Sequence, residues 1–171
     1  MKFDSDIHHR RSVRLKNYDY SQNGQYFVTI CTHEKTHIFG KIVDEKMILN
    51  DLGKIAKKCW QEIPDYFPDV ELGEFVIMPN HMHGIINIVG AQNLVPNAEN
   101  KFQKIIPKSL GSIIRGYKTG VTKWARKNSD IHIVWQKNFH EHIIRDEKSF
   151  ENIQNYILNN PVLWKNDCYF M

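Results

Sequence analysis

The stretch Glu74–Val89, EFVIMPNHMHGIINIV, decides the fold. Glu74 through Met78 is aromatic and β-branched, Pro79-Asn80 is a turn pair, and His81 through Val89 is strand-like again. Two such runs about one turn read as an antiparallel hairpin. Alternation along the returning strand sends His81 and His83 to one face and Met82 to the other. Imidazoles one pleat apart can share a divalent metal. A chain with nine histidines also produces HxH by chance, so spacing alone leaves both readings open.

Upstream of the hairpin, Tyr26–Thr32 reads as a buried strand, and a short strand or hairpin is expected near Phe39–Leu49. Asn50 and Asp51 offer an N-cap. Leu52, Ile55, Ala56, Cys59, Trp60 and Ile63 then recur at helical spacing, predicting a helix that ends before Pro64. Downstream, 90–107 is one long polar loop. A second helix is expected from about Ser109 to Lys127, with Leu110, Ile113, Ile114, Tyr117, Val121, Trp124 and Ala125 on its apolar stripe. Ile131–Trp135 and Phe139–Ile144 read as strands, and Asp146 can cap a last helix, Glu147 to Asn160, stopped by Pro161. The order strand, helix, strand, strand, helix, strand, helix predicts an α+β, ferredoxin-like antiparallel sheet with helices packed mainly on one face. Residues 1–24 form a basic lead-in closed by Gln22-Asn23-Gly24, and 25–171 a single domain.

Composition narrows the class. With 42% apolar residues in 171, the chain can bury a core without disulfides. Its three cysteines, Cys31, Cys59 and Cys168, show no CxxC spacing, which argues against a zinc ribbon and against a secreted, disulfide-stapled protein. The charged start, Lys2 through Arg14, lacks the apolar stretch of a signal peptide, and no run has the length of a membrane span. A cytoplasmic protein with no membrane partner is expected. A net charge of +4 leans only mildly toward polyanions. Its placement is more informative: Arg10, Arg11, Arg14 and Lys16 cluster at the N-terminus, and Lys118, Lys123, Arg126 and Lys127 on the second long helix. Each cluster is either a nucleic-acid contact or a solvated face.

Two histidines leave coordination positions open. Asn160, at the last turn of the C-terminal helix, offers an amide oxygen, and Tyr156 lies one helical repeat before it on the same face. A phenol beside a cation can act as a nucleophile, because the cation lowers its pKa and polarises a phosphate. Packing of Tyr156 beside Ile153 and Ile157 is the alternative. Tyr117, in Arg115-Gly116-Tyr117-Lys118, competes as nucleophile, yet it lies on the apolar stripe with Val121 in the matching i+4 position. A second HxH, His140-Glu141-His142, can add ligands, support the first pair from behind through His142, or be a solvated edge.

Three blocks taken together go beyond spacing: Phe75–Gly84 (FVIMPNHMHG), Val134–Arg145 (VWQKNFHEHIIR) and Asn155–Pro161 (NYILNNP). The first resembles the HUH motif of IS200-like, single-tyrosine transposases, and the other two resemble the REP-associated branch of that family. The resemblance implies a ferredoxin-like enzyme that cuts and rejoins single-stranded DNA, often at a foldback hairpin. It implies that Tyr156 attacks a backbone phosphate, forms a 5′-phosphotyrosyl intermediate and frees a 3′-hydroxyl. His81 and His83 would bind Mg²⁺ or Mn²⁺ with Asn160 as third ligand, and Met82 matches the bulky middle residue of HUH. Single-stranded or hairpin DNA is the implied partner, with one chain or a homodimer as the acting unit. Two rival readings stand beside it: a non-catalytic nucleic-acid-binding module of the same fold, and a His-rich metal-dependent hydrolase using water.

Overall fold

The computed structural model describes residues 18–90 and 107–170. Four strands form the main sheet: β1 (Gly24–Cys31), β4 (Val70–Ile77), β5 (His81–Ile88) and β6 (His140–Ile144). Their order is β4-β5-β1-β6, and every neighbouring pair is antiparallel. β1 and β4 therefore run parallel with β5 between them, and β5 and β6 run parallel with β1 between them. Helix α1 (Asp51–Gln61) lies on the chain path between the first pair, and α3 (Leu110–Asn128) between the second. Two interleaved split βαβ units of this kind are the α+β ferredoxin-like arrangement.

The local chemistry explains the elements. Asn50 caps α1 by accepting from Gly53 N at 2.9 Å, and Asp146 caps α4 (Glu147–Asn159) by accepting from Ser149 N at 2.8 Å. Pro64 ends no helix interior. It sits in the first turn of the short α2 (Ile63–Tyr66), where its missing N–H costs nothing. A separate hairpin, β2 (Gly40–Val43) and β3 (Lys46–Leu49), turns through Asp44 and Glu45, both at positive φ.

The sheet has two unlike faces. Tyr26, Val28 and Ile30 of β1 and Met82, Ile86 and Ile88 of β5 join Ala56 and Trp60 of α1 and Ile113, Ile114, Tyr117 and Val121 of α3 in one large buried core. Phe27 and Ile85, one residue out of phase, face the other way. They meet Val76, Ile144 and the α4 side chains Phe150, Ile153 and Ile157 in a much smaller cluster. Gly84 fits the large core by absence: a Cβ there would lie 2.4 Å from Trp60 Cζ2.

Some sequence expectations shift. β4 starts at Val70 rather than Glu74, with a register irregularity between Leu72 and Phe75. Ile131–Trp135 is not a strand. Trp135 makes a single bridge to Thr32, and other backbone oxygens of this region are taken by side chains: Arg126 Nε donates to His132 O, and Lys118 Nζ to Gln136 O and Asn138 O. The end of the expected lead-in is packed, since Tyr20 is buried and Tyr18 and Tyr20 both lie against Tyr26. Arg10, Arg11, Arg14 and most of the 90–107 loop lie outside the described residues. Among the described residues no helix is long and apolar enough to cross a membrane.

Candidate active site

His81 and His83 open β5 on the α4 side of the sheet, with ring centroids 4.5 Å apart and side chains wholly buried. Each ring is held from behind. Asn80 Nδ2 donates to Tyr169 O at 2.8 Å, which turns Asn80 Oδ1 toward His81 Nδ1, 2.9 Å away. An amide oxygen only accepts, so Nδ1 of His81 carries the proton and Nε2 keeps its lone pair. Thr29, directly across from His83 in the β1–β5 register, sets its Oγ1 2.8 Å from His83 Nδ1. In the tautomer in which His83 Nδ1 donates to Thr29, His83 Nε2 accepts from the Tyr156 hydroxyl at 3.2 Å. Outer partners of this kind fix the tautomer and aim of ligating imidazoles.

α4 supplies the opposing wall. Ile157 anchors it in the small cluster, and its neighbour Tyr156 is 39% exposed, with its ring 5.1 Å from that of His83. Asn160, the C-cap, is buried one turn later. The chain then folds back over the histidines through a single 3₁₀ turn, Trp164–Asn166. The Tyr169 ring lies 4.5 Å from His81 and 5.9 Å from His83, and Trp164 lies 6.0 Å from His81. Asp167, its side chain 1% exposed, accepts from Asn160 Nδ2 at 3.0 Å and from Tyr169 N at 2.7 Å.

Burial governs the protonation states. It lowers His81 to about 4, against the opposing pull of the Asp167 carboxylate, and it lowers His83 well below the ordinary histidine range, helped by His81. Both rings are thus neutral at neutral pH, the form in which imidazole binds metal. Burial also raises Tyr156 to about 12, with Asp167 and Cys168 adding to the rise and Asn160 opposing it. The phenol therefore keeps its proton at neutral pH unless a positive charge comes beside it.

The donor set fits a cation. His81 Nε2 and Asn160 Oδ1 are buried and have no hydrogen-bond partner among the described residues. One ligand atom each from His81, His83 and Asp167 lie within 4.8 Å of one another, so this group can bind a metal ion. Two imidazoles with hard oxygen donors suit a divalent ion of the first transition row, and the oxygens extend the range toward Mg²⁺.

Other expected residues stand apart. His142 is exposed on β6, paired with Phe27 rather than in the Thr29–His83 row, and it lines a cavity of about 430 Å³ with Arg145 and Asp146. The α3 cations lie over the opposite face of the sheet from Tyr156. Lys123 and Arg126 are exposed there, whereas the Lys118 ammonium is engaged by two backbone carbonyls and, through burial, lowered to about 8. Tyr117 is a core residue, its ring edge-on to Trp60.

Sequence reading missed Asp167, Tyr169, Thr29 and the role of Asn80. Period-2 alternation puts Thr29 on one face with Phe27 and Cys31, but its partner emerges only from the strand register. Asp167 follows the helix stop and carries no local pattern.

No protein-family profile matches the chain. It is 54% identical over 176 residues to an uncharacterized protein of Haemophilus influenzae, covering 99% of this chain and 98% of that one. A second Haemophilus influenzae protein, provisionally described as a REP-associated tyrosine transposase, is 25% identical over 154 residues, 86% of this chain and 77% of that protein. The solved structure of a REP-associated tyrosine transposase bound to a REP hairpin superposes with a TM-score of 0.58 at 21% identity, covering 87% of this chain and 72% of that one. The chain is of one family with the uncharacterized Haemophilus protein; it is similar in sequence to the provisionally described REP-associated tyrosine transposase and shares the fold of the solved one.

Proposed function

We propose that this protein nicks and rejoins single-stranded DNA, at hairpin-bearing sites, through a covalent tyrosine intermediate, and that residues 25–171 form its catalytic domain. One observation carries the reading: the Tyr156 hydroxyl reaches His83 Nε2 at 3.2 Å, beside the unpartnered His81 Nε2 and Asn160 Oδ1. A nucleophile within hydrogen-bond reach of a metal-capable donor set is what phosphoryl transfer by a side chain requires. His81, His83 and Asn160 would hold Mg²⁺ or Mn²⁺, which would supply positive charge to the scissile phosphate and to the phenol. Tyr156 Oη then bonds to phosphorus as the bond to the 3′ oxygen breaks. The phenol proton is released, the 3′ oxygen leaves as a hydroxyl, and the 5′-phosphate stays on the tyrosine. Attack by a 3′-hydroxyl reverses the step without an external energy source, because phenolate is a good leaving group relative to an alkoxide. Arg10, Arg11, Arg14, Lys123 and Arg126 are proposed contacts to the DNA backbone, on the strength of their charge.

The test is incubation of the full chain with hairpin-bearing single strands and Mn²⁺, followed by denaturing electrophoresis. A shifted covalent band that EDTA abolishes is the expected result, and mass spectrometry should find the DNA on Tyr156. Cleavage without any adduct would favour a hydrolase using water, and binding without cleavage a non-catalytic module.

A further inference from the structure

Asn160 can face the site with either end of its amide, and only one end serves a cation. The oxygen is a donor to metal, while the NH₂ group presents two hydrogens and repels it. The two ends are nearly equal in size and shape, so neighbours must choose between them. Here the choice is made by one residue. Asn160 Nδ2 donates to Asp167 Oδ2 at 3.0 Å, and Oδ1, turned the opposite way, is buried without a partner among the described residues. Asp167 is itself held, since its other oxygen accepts from Tyr169 N at 2.7 Å, and a carboxylate accepts but cannot donate.

We propose that Asp167 is a positioning residue of the site: it fixes the amide of Asn160 so that Oδ1, and not Nδ2, points at the ligand nitrogens of His81 and His83. The proposal rests on the reading of Asn160 as a metal ligand. It gives the segment after Pro161 a constructive part in the site. Three side chains are oriented from behind by the same logic: Asn80 for His81, Thr29 for His83 and Asp167 for Asn160. Only in the last does the orienting group carry a charge beside the ligands, its Oδ2 lying 3.8 Å from His81 Nε2.

Charge and orientation can be separated experimentally. D167N removes the charge and keeps one oxygen, which can accept from Asn160 Nδ2 by giving up the bond from Tyr169 N, whereas D167A removes both oxygens. Mn²⁺ affinity of the full chain without DNA, read by electron paramagnetic resonance, should fall in D167A by about tenfold or more, the range for loss of an outer-shell partner. D167N should bind measurably more tightly than D167A. In an N160A background the two variants should become equal, because no amide remains to orient. A purely structural role for Asp167, such as holding the 167–169 turn, would leave their difference intact in that background and overturn the proposal. So would equal affinity in D167A and the unsubstituted chain, or equal affinity in D167N and D167A. Absence of Mn²⁺ binding by the unsubstituted chain would overturn the metal reading together with the proposal. Retained binding that is insensitive to Asp167 would overturn the proposal alone.

Discussion

The two faces of the main sheet are made of the same strands and do different work. The face under α1 and α3 buries a continuous core of aromatic and aliphatic side chains. The face under α4 has only a small apolar cluster, and next to it lie two buried histidines, Thr29, Asn160 and Asp167. Apolar burial dominates folding free energy, at roughly 25 cal/mol per Å². Most of the stability therefore comes from the first face. The second face can keep an unpaired ring nitrogen, His81 Nε2, and an unpaired amide oxygen, Asn160 Oδ1, groups that cost free energy when buried, because the first face offsets that cost. One consequence is that substitutions on the two faces should separate activity from stability.

The sharpest break in that comparison is Tyr156→Phe. It removes a hydroxyl bonded to the buried His83 Nε2, so stability should fall modestly, by about 1–2 kcal/mol, with the fold intact. The covalent adduct with DNA should vanish altogether. An adduct that survives, or one mapped to Tyr117, would move the nucleophile.

Trp60→Ala is the converse, on the core face. Trp60 is fully buried against Phe75 and Tyr117, and its truncation should cost about 3–5 kcal/mol in chemical denaturation. The folded fraction should still form the adduct with unchanged dependence on Mn²⁺. Loss of metal response in folded Trp60→Ala protein would show that the faces are coupled.

Acid should act through the α4 face. The folded pKa of His81 lies at about 4, below the unfolded histidine value of 6.5, and that of His83 is also lowered. The unfolded chain therefore takes up protons first as pH falls. Stability of the metal-free protein should be full above about pH 6.5 and decline through the window down to about pH 4, by about 1.4 kcal/mol for each unit of difference. Replacing His81 and His83 together by Gln should flatten that decline. A midpoint in denaturant that does not change across this window would refute the neutral-histidine assignment.

Tyr117→Phe should have the smallest effect. The Tyr117 hydroxyl is buried without a hydrogen-bond partner among the described residues, so its removal costs no bond. Stability should stay the same or rise slightly, and the adduct should be unaffected.

These contrasts also explain what the sequence could reveal. Strand and helix periodicity made the fold legible, because β1, β5, α1 and α3 all contribute to the large core and carry its pattern. The same period-2 rule paired His81 with His83, and the i+4 rule paired Tyr156 with Asn160. Ile131–Trp135 looked like a strand because Ile131, Ile133 and Val134 favour extended backbone, but Lys118 and Arg126 take up carbonyls of the neighbouring residues. The α3 lysines formed a cluster in sequence, yet which face of the sheet a helix covers is not written in its charges. Asp167 and Tyr169 reach the site through tertiary folding after the last helix, where neither periodicity nor a motif operates.

The 3.2 Å contact between Tyr156 and His83 has a further consequence. An imidazole nitrogen has a single lone pair, and it cannot both accept the phenol proton and hold a cation. The hydroxyl and the metal are therefore competitors for one orbital, linked so that each weakens the other's hold. On the proposed reading, an ion held by His83 would displace the phenol from its resting bond and leave its oxygen beside a positive charge. Removing the competitor should then tighten binding: Tyr156→Phe, inert toward DNA, should take up Mn²⁺ more avidly than the unsubstituted protein.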